Sequence, residues 1–121
     1  GYTVTTDITQ MDVELIHLYL SASSYWAQGI PLSTVQKSMQ HSLCFAVVYE
    51  TSTVAFARIV SDYATFAYLC DVFVLPAHRG KGLSKYLMQS IHEHTALQGL
   101  RRWTLFTKDA HGLYQQFGWE L

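Results

Sequence analysis

The sequence predicts a mixed α/β (α+β) fold in a single domain over residues 1–121. A central sheet, mostly antiparallel, is flanked by helices in the order β-α-α-β-β-β-α-β-α, with a truncated last strand. Three observations carry this expectation. The spacing of apolar residues changes from helical to strand-like at Leu43. From Phe66 to Thr107 a strand, a Gly-rich turn, a helix and a further strand follow one another, the pattern of a parallel right-handed crossover. The 121 residues are 50% hydrophobic and 14% charged, with 7 Gly and 2 Pro, which suits one packed core and excludes both disorder and a collagen-like chain.

Residues 2–6, Tyr-Thr-Val-Thr-Thr, are rich in β-branched side chains and predict a short first strand. Asp12 is a good N-cap, and Val13, Ile16 and Leu20 then recur at helical spacing until Ser23-Ser24. Gly29-Ile30-Pro31 is a loop. Ser33 and Gln36 fit a capping box, with Leu32, Val35 and Met39 on one face of the helix that follows. Residues 44–49 and 53–61 form a hairpin about the turn Glu50-Thr51-Ser52. Asp62 to Thr65 lead into Phe66–Leu75, a run apolar on both faces, as a covered central strand requires. Pro76 ends it. A helix runs from about Leu83 to Leu97, with Leu83, Leu87, Ile91 and His94 on one face, and Gly99 stops it. Residues 103–107 are a strand, and Asp109 caps a last helix that carries Leu113 and Phe117 and ends at Gly118.

Composition narrows the function. A formal net charge of −1 argues against a dedicated nucleic-acid binder. No apolar run reaches the roughly 18–20 residues of a membrane span. Two cysteines, Cys44 and Cys70, are too few for a disulfide scaffold. Together with an N-terminus that lacks a signal-like core, they predict a cytoplasmic protein with buried free thiols. No Cys-x-x-Cys or His-Glu-x-x-His is present, and His92 and His94 point in different directions on their helix, so no metal is expected.

The chemistry is concentrated in Val72-Phe73-Val74-Leu75-Pro76-Ala77-His78-Arg79-Gly80-Lys81-Gly82-Leu83-Ser84-Lys85. A strand enters a Gly-rich turn that opens a helix, so orphan backbone N–H groups and the positive end of the helix dipole face outward. A pyrophosphate is the natural ligand of such a turn. Arg79, Lys81 and Lys85 add positive charge. A Walker loop is absent, and a dinucleotide fingerprint would need a third glycine after Gly80 and Gly82.

Arg79-Gly80-Lys81-Gly82-Leu83-Ser84 resembles the Arg/Gln-x-x-Gly-x-Gly/Ala signature of the GNAT superfamily of acyl-CoA-dependent N-acyltransferases, with Ser84 in place of the final Gly/Ala. Ala110 to Trp119, containing Leu113-Tyr114-Gln115-Gln116-Phe117-Gly118, looks like that family's last helix. The element order agrees, so the resemblance covers nearly the whole chain. The family continues into a further strand that this chain largely lacks, and the sheet edge left there invites pairing with a second copy.

The resemblance implies an acetyltransferase that uses acetyl-CoA and a primary amine, without metal. An acyl-CoA-binding or regulatory module without transferase activity is the alternative. The pyrophosphate would sit on Arg79, Gly80, Lys81, Gly82, Leu83 and Ser84, and the pantetheine would pair with the backbone of Val72, Phe73 and Val74. Tyr114 would protonate the leaving thiolate. The base is open among Asp71, a carboxylate inside an apolar strand, His111 and water. Tyr25 and Trp26, with Asp62, Tyr63 and Phe66, would receive the acceptor, since aromatics plus an acid suit an amine cation.

Overall fold

A sheet covered on both faces explains why the strands lack simple alternation of apolar and polar residues. The computed structural model describes residues 1–105. Its strands are β1 (Tyr2–Thr5), β2 (Leu43–Tyr49), β3 (Ser52–Ser61), β4 (Phe66–Val74) and β5 (Arg102–Leu105), ordered β1-β2-β3-β4-β5 across the sheet. Neighbours are antiparallel except β4 and β5, which are parallel, as the crossover pattern predicts. Among the described residues three helices flank it: α1 (Val13–Leu18), α2 (Leu32–Gln40) and α3 (Leu83–Glu93). Mixed α/β architecture is thus observed. The predicted last helix, with Tyr114 and His111, lies outside the described residues.

Successive side chains of β2 divide between two cores. Phe45 and Val47 join Ile59, Leu69 and Leu105 against Leu83, Leu87, Met88 and Ile91 of α3. Cys44 and Ala46 join Phe56 and Phe73 against Ile16, Leu20, Val35 and Met39 of the α1–α2 layer. Burial pushes the thiol of Cys44 up to about 12 and that of Cys70 up to about 11. Both therefore stay protonated and inert near neutrality.

Local chemistry sets the helix ends. Asp12 caps α1 as predicted, its carboxylate accepting from the Leu15 N–H at 3.1 Å. α1 then widens into a π turn over Tyr19–Ser23, closed by Ser24 N–H to Tyr19 C=O at 3.0 Å. α2 starts at Leu32 rather than after Ser33, which corrects the capping box. Pro31 takes the N-cap place, and its carbonyl accepts from Thr34 and Val35. The fixed φ of proline ends the loop two residues earlier than the serine would. α3 stops at Glu93 rather than Leu97. His94 turns to extended backbone, and its Nδ1 accepts from Ala96 N–H at 3.1 Å, opening a short 3-10 turn over Thr95–Leu97. No helix among the described residues is long and apolar enough to cross a membrane.

Candidate active site

The second half of β4 is the floor of the site, and a bulge shapes it. Phe56 pairs with Phe73 and Arg58 with Cys70, so Asp71 and Val72 together stand across from Ala57. Asp71 takes up the extra length at φ +58, in the left-handed region. Strict alternation would point it the same way as Leu69, into the apolar α3 side. The bulge turns it to the other face, where Arg58 meets it at 2.8 Å. The pair is mostly buried, at 19% and 13% side-chain exposure. Arg58 Nη1 also donates to Ser42 Oγ at 3.0 Å, and the second Asp71 oxygen accepts from the Trp26 indole at 3.0 Å. Each oxygen of Asp71 therefore already holds a donor.

Beyond Val74 the chain makes a single 3-10 turn, Pro76–His78, and then the glycine turn. Gly80 and Gly82 sit at φ +79 and +75, and Gly82 is the N-cap of α3 with no side chain closing the cap. The first intrahelical bond there is Tyr86 N–H to Gly82 C=O, so the N–H groups of Leu83, Ser84 and Lys85 have no partner within the helix. A Cβ at Gly80 or Gly82 would meet none of the described atoms within 4 Å. Glycine is needed here for its backbone angle, and among the described residues the space over the turn is open.

A groove of about 580 Å³ joins these parts. Val72, Phe73 and Val74 line its floor, and Arg79, Gly80, Gly82, Leu83, Ser84 and Lys85 line one end. Tyr19, Tyr25 and Trp26 form the opposing wall. Arg79 crosses between the two: Nε donates to Val74 C=O at 3.0 Å and Nη2 to the Tyr19 hydroxyl at 3.0 Å. Tyr19 in turn stacks on Phe73, with ring centroids 4.1 Å apart. Among the described lining residues Arg79 and Lys85 are cationic and none is acidic, so this groove favours an anion.

The structure thus gathers most of the predicted site and divides the rest. Lys81 belongs to the turn without lining the groove. Asp62 spends its carboxylate on its own loop, accepting from Thr65 Oγ1 at 2.5 Å and from the N–H groups of Ala64, Thr65 and Phe66. The Thr65 side chain above all, with the Thr65 and Ala64 amides, holds that carboxyl well below the usual range. Tyr63 is exposed on the same loop, and Phe66 borders a separate depression with Tyr68, Arg101 and Arg102. The reason is length. Phe66 and Val74 are the two ends of β4, about 26 Å apart at roughly 3.3 Å per residue. Neighbours of the strand's entry cannot reach the groove at its exit. Sequence reasoning also missed Tyr19 and Arg58. Tyr19 left no signal. Arg58 did, as a lone cation inside the apolar run Val54 to Val60.

Comparison with known proteins agrees with this geometry. The model of the acetyltransferase (GNAT) family matches residues 13–119. A protein of Gibberella zeae assigned as an acetyltransferase is 31% identical over 135 residues, covering 93% of this chain and 75% of its own length. A crystal structure from Xanthomonas campestris pv. campestris, assigned to the same family, superposes with a TM-score of 0.97 at 54% identity, over 100% of this chain and 85% of that one. An aminoglycoside N-acetyltransferase in complex with CoA shares the fold at a TM-score of 0.71 and 18% identity, over 100% of this chain and 89% of that one. A glycine-capped helix at the end of a bulged strand, in a chain matched over nearly its full length, leads to one conclusion: this protein is an acetyltransferase of the GNAT family.

Proposed function

We propose that the protein transfers the acetyl group of acetyl-CoA to a primary amine by direct attack, as a cytoplasmic enzyme that calls on no metal. The observation that carries this reading is the open turn at Gly80 and Gly82, capping α3 at one end of the groove. Its N–H groups without a partner in the helix, with Arg79 and Lys85, suit the pyrophosphate. Acetyl-CoA supplies the acetyl group: a C–N bond forms to the amine, the C–S bond breaks, and the thiol leaves. Backbone N–H groups of Val72 to Val74 would pair with the pantetheine arm and stabilise charge growing on the carbonyl oxygen.

Tyr114 is the proposed acid for the departing thiolate; it lies outside the described residues. An amine with a pKa of about 10 is only about 0.1% unprotonated at neutral pH, so a proton must be removed. Asp71 already holds Arg58 and Trp26, which supports water or His111 as the acceptor of that proton ahead of Asp71. Tyr25 and Trp26, 50% and 43% exposed, offer ring faces and edges to an amine cation at the groove wall.

Calorimetric titration with acetyl-CoA tests the reading, with S-acetylpantetheine as the ligand lacking pyrophosphate. Saturable micromolar binding of the first and loss of it for the second is expected. Thiol release with a panel of spermidine, tyramine and a peptide N-terminus then follows, and Tyr114→Phe lowers its rate without changing acetyl-CoA affinity. No binding overturns the proposal. Binding without thiol release across the panel favours the CoA-binding module.

A further inference from the structure

We propose that Asp71 is a positioning residue that locks the aromatic wall of the groove onto β4 by holding the indole N–H of Trp26. What the wall faces rests on the transferase reading; the lock itself rests on geometry alone.

The segment 24–31 between the π turn and α2 carries Tyr25 and Trp26 into the groove lining. Several hydrogen bonds tie this segment to its own helix. Ser24 Oγ accepts from Ala27 N–H and donates to Leu20 C=O, Gly29 N–H donates to Ser21 C=O, and His17 Nε2 lies 2.9 Å from Ile30 C=O. These bonds shape the loop within its own layer, where Ala27 and Ile30 also pack against the apolar core. The Trp26–Asp71 bond is of another kind: it joins the loop to β4 across 45 positions.

Asp71 is built for two donors at once. Arg58 occupies one carboxylate oxygen and Trp26 the other. Arg58 is itself held by Ser42 Oγ, whose own proton goes to the Ser38 carbonyl in α2. One carboxylate thus meets β3 and the loop before α2 directly, and the residues after α2 through Arg58. The bulge is what makes the meeting possible, because it turns Asp71 away from the α3 core at a backbone angle that Asp tolerates better than most side chains. An apolar residue would tolerate the left-handed angle less well and would leave Arg58 and the indole N–H unpaired.

Asparagine separates the lock from the fold. It tolerates the same backbone angle, so β4 keeps its bulge. It has one carbonyl oxygen, which the guanidinium takes as the stronger, charge-assisted donor. Its remaining NH₂ group cannot accept from Trp26. Asp71→Asn therefore frees the indole while sparing Arg58, and Trp26→Phe removes the same bond from the other side at an exposed position.

Two-dimensional ¹H–¹⁵N spectra read the outcome. The Trp26 indole resonance is assigned by its loss in Trp26→Phe. In Asp71→Asn it moves upfield and exchanges with solvent at least ten-fold faster. The backbone amides of 24–30 lose protection to the same extent in both variants and no further in the double variant, while the amides of β3 and β4 keep theirs. An indole resonance that ignores Asp71→Asn, or effects that add in the double variant, overturns the proposal. Absence of acetyl-CoA binding by the unmodified protein overturns the transferase reading instead and leaves these exchange results standing.

Discussion

The two walls of the groove are made in different ways. The turn proposed for the pyrophosphate is written in backbone: two left-handed glycines and a helix N-terminus without a side-chain cap, all within residues 79–85. The aromatic wall is written in side chains that meet across the chain, Trp26 with Asp71 and Tyr19 with Arg79 over 60 positions. A backbone site needs few residue types at fixed short spacing. A side-chain wall needs each partner's position in the whole fold.

The largest expected effect is on the backbone side. In Gly80→Asp with Gly82→Asp, each aspartate strains the left-handed angle, though less than most side chains would, and its Cβ meets none of the described atoms, so the change stays local to the turn. Two carboxylates then face the pyrophosphate. Affinity for acetyl-CoA falls by about a hundred-fold or more, about 2.7 kcal/mol at 1.4 kcal/mol per factor of ten. Calorimetry checks this against circular dichroism of the same sample. Retained affinity in a folded variant breaks the assignment of the turn.

Arg58→Met strikes the other wall from beneath. Removing one member of a fully buried pair costs about 3–5 kcal/mol, and partial exposure of this pair lowers the expectation to about 2 kcal/mol. A urea midpoint that falls with an unchanged slope is the expected result. An unchanged midpoint shows that Asp71 finds solvent easily, and the wall then has no foundation in the sheet.

Sequence legibility follows the same division. The order of elements as far as β5, the Asp12 cap and the glycine turn are local patterns, and these stand in the described structure as read. The π turn after α1 was not legible, because its wider spacing leaves no mark in the apolar residues that continue through Leu20. Grouping Asp62 and Tyr63 with Tyr25 and Trp26 mistook chemical suitability for proximity. Nothing in the residue types says that Asp62 closes its own loop while Asp71 reaches the α1–α2 layer. The available clue was a matched pair of opposite charges, Arg58 and Asp71, each alone in an apolar strand. Neighbouring antiparallel strands bring such charges together, and the pair marks where the sheet must be open to a polar partner.

Arg79 belongs to both walls, so a conservative change there measures how far they are coupled. Lysine keeps the charge but holds its donors on one nitrogen, where Arg79 reaches Val74 C=O and the Tyr19 hydroxyl from two separate nitrogens in a fixed plane. Losing one such bond at an exposed site is worth about 1 kcal/mol, or roughly a five-fold loss of acetyl-CoA affinity for Arg79→Lys. Affinity equal to that of the unmodified protein shows that charge alone matters, and that Tyr19 is only a neighbour of the turn.

The smallest effect separates the two aspartates. Hydrogen bonds from the Thr65 hydroxyl and the Thr65 and Ala64 amides lower the carboxyl of Asp62 in the folded loop. An unfolded aspartate titrates near pH 3.9, about the point at which the open loop begins to bind the extra proton. The order that Asp62 provides is therefore complete above that pH and is lost as pH falls through the lower folded value. Amide resonances of Ala64, Thr65 and Phe66 followed from pH 7 to 2 move together with a midpoint below that of a free aspartate. A midpoint at or above pH 4 would mean that the carboxylate is not committed to its loop. Asp62 would then be free to meet a cation, and the acceptor side would extend along β4 well beyond the wall that Trp26 and Asp71 define.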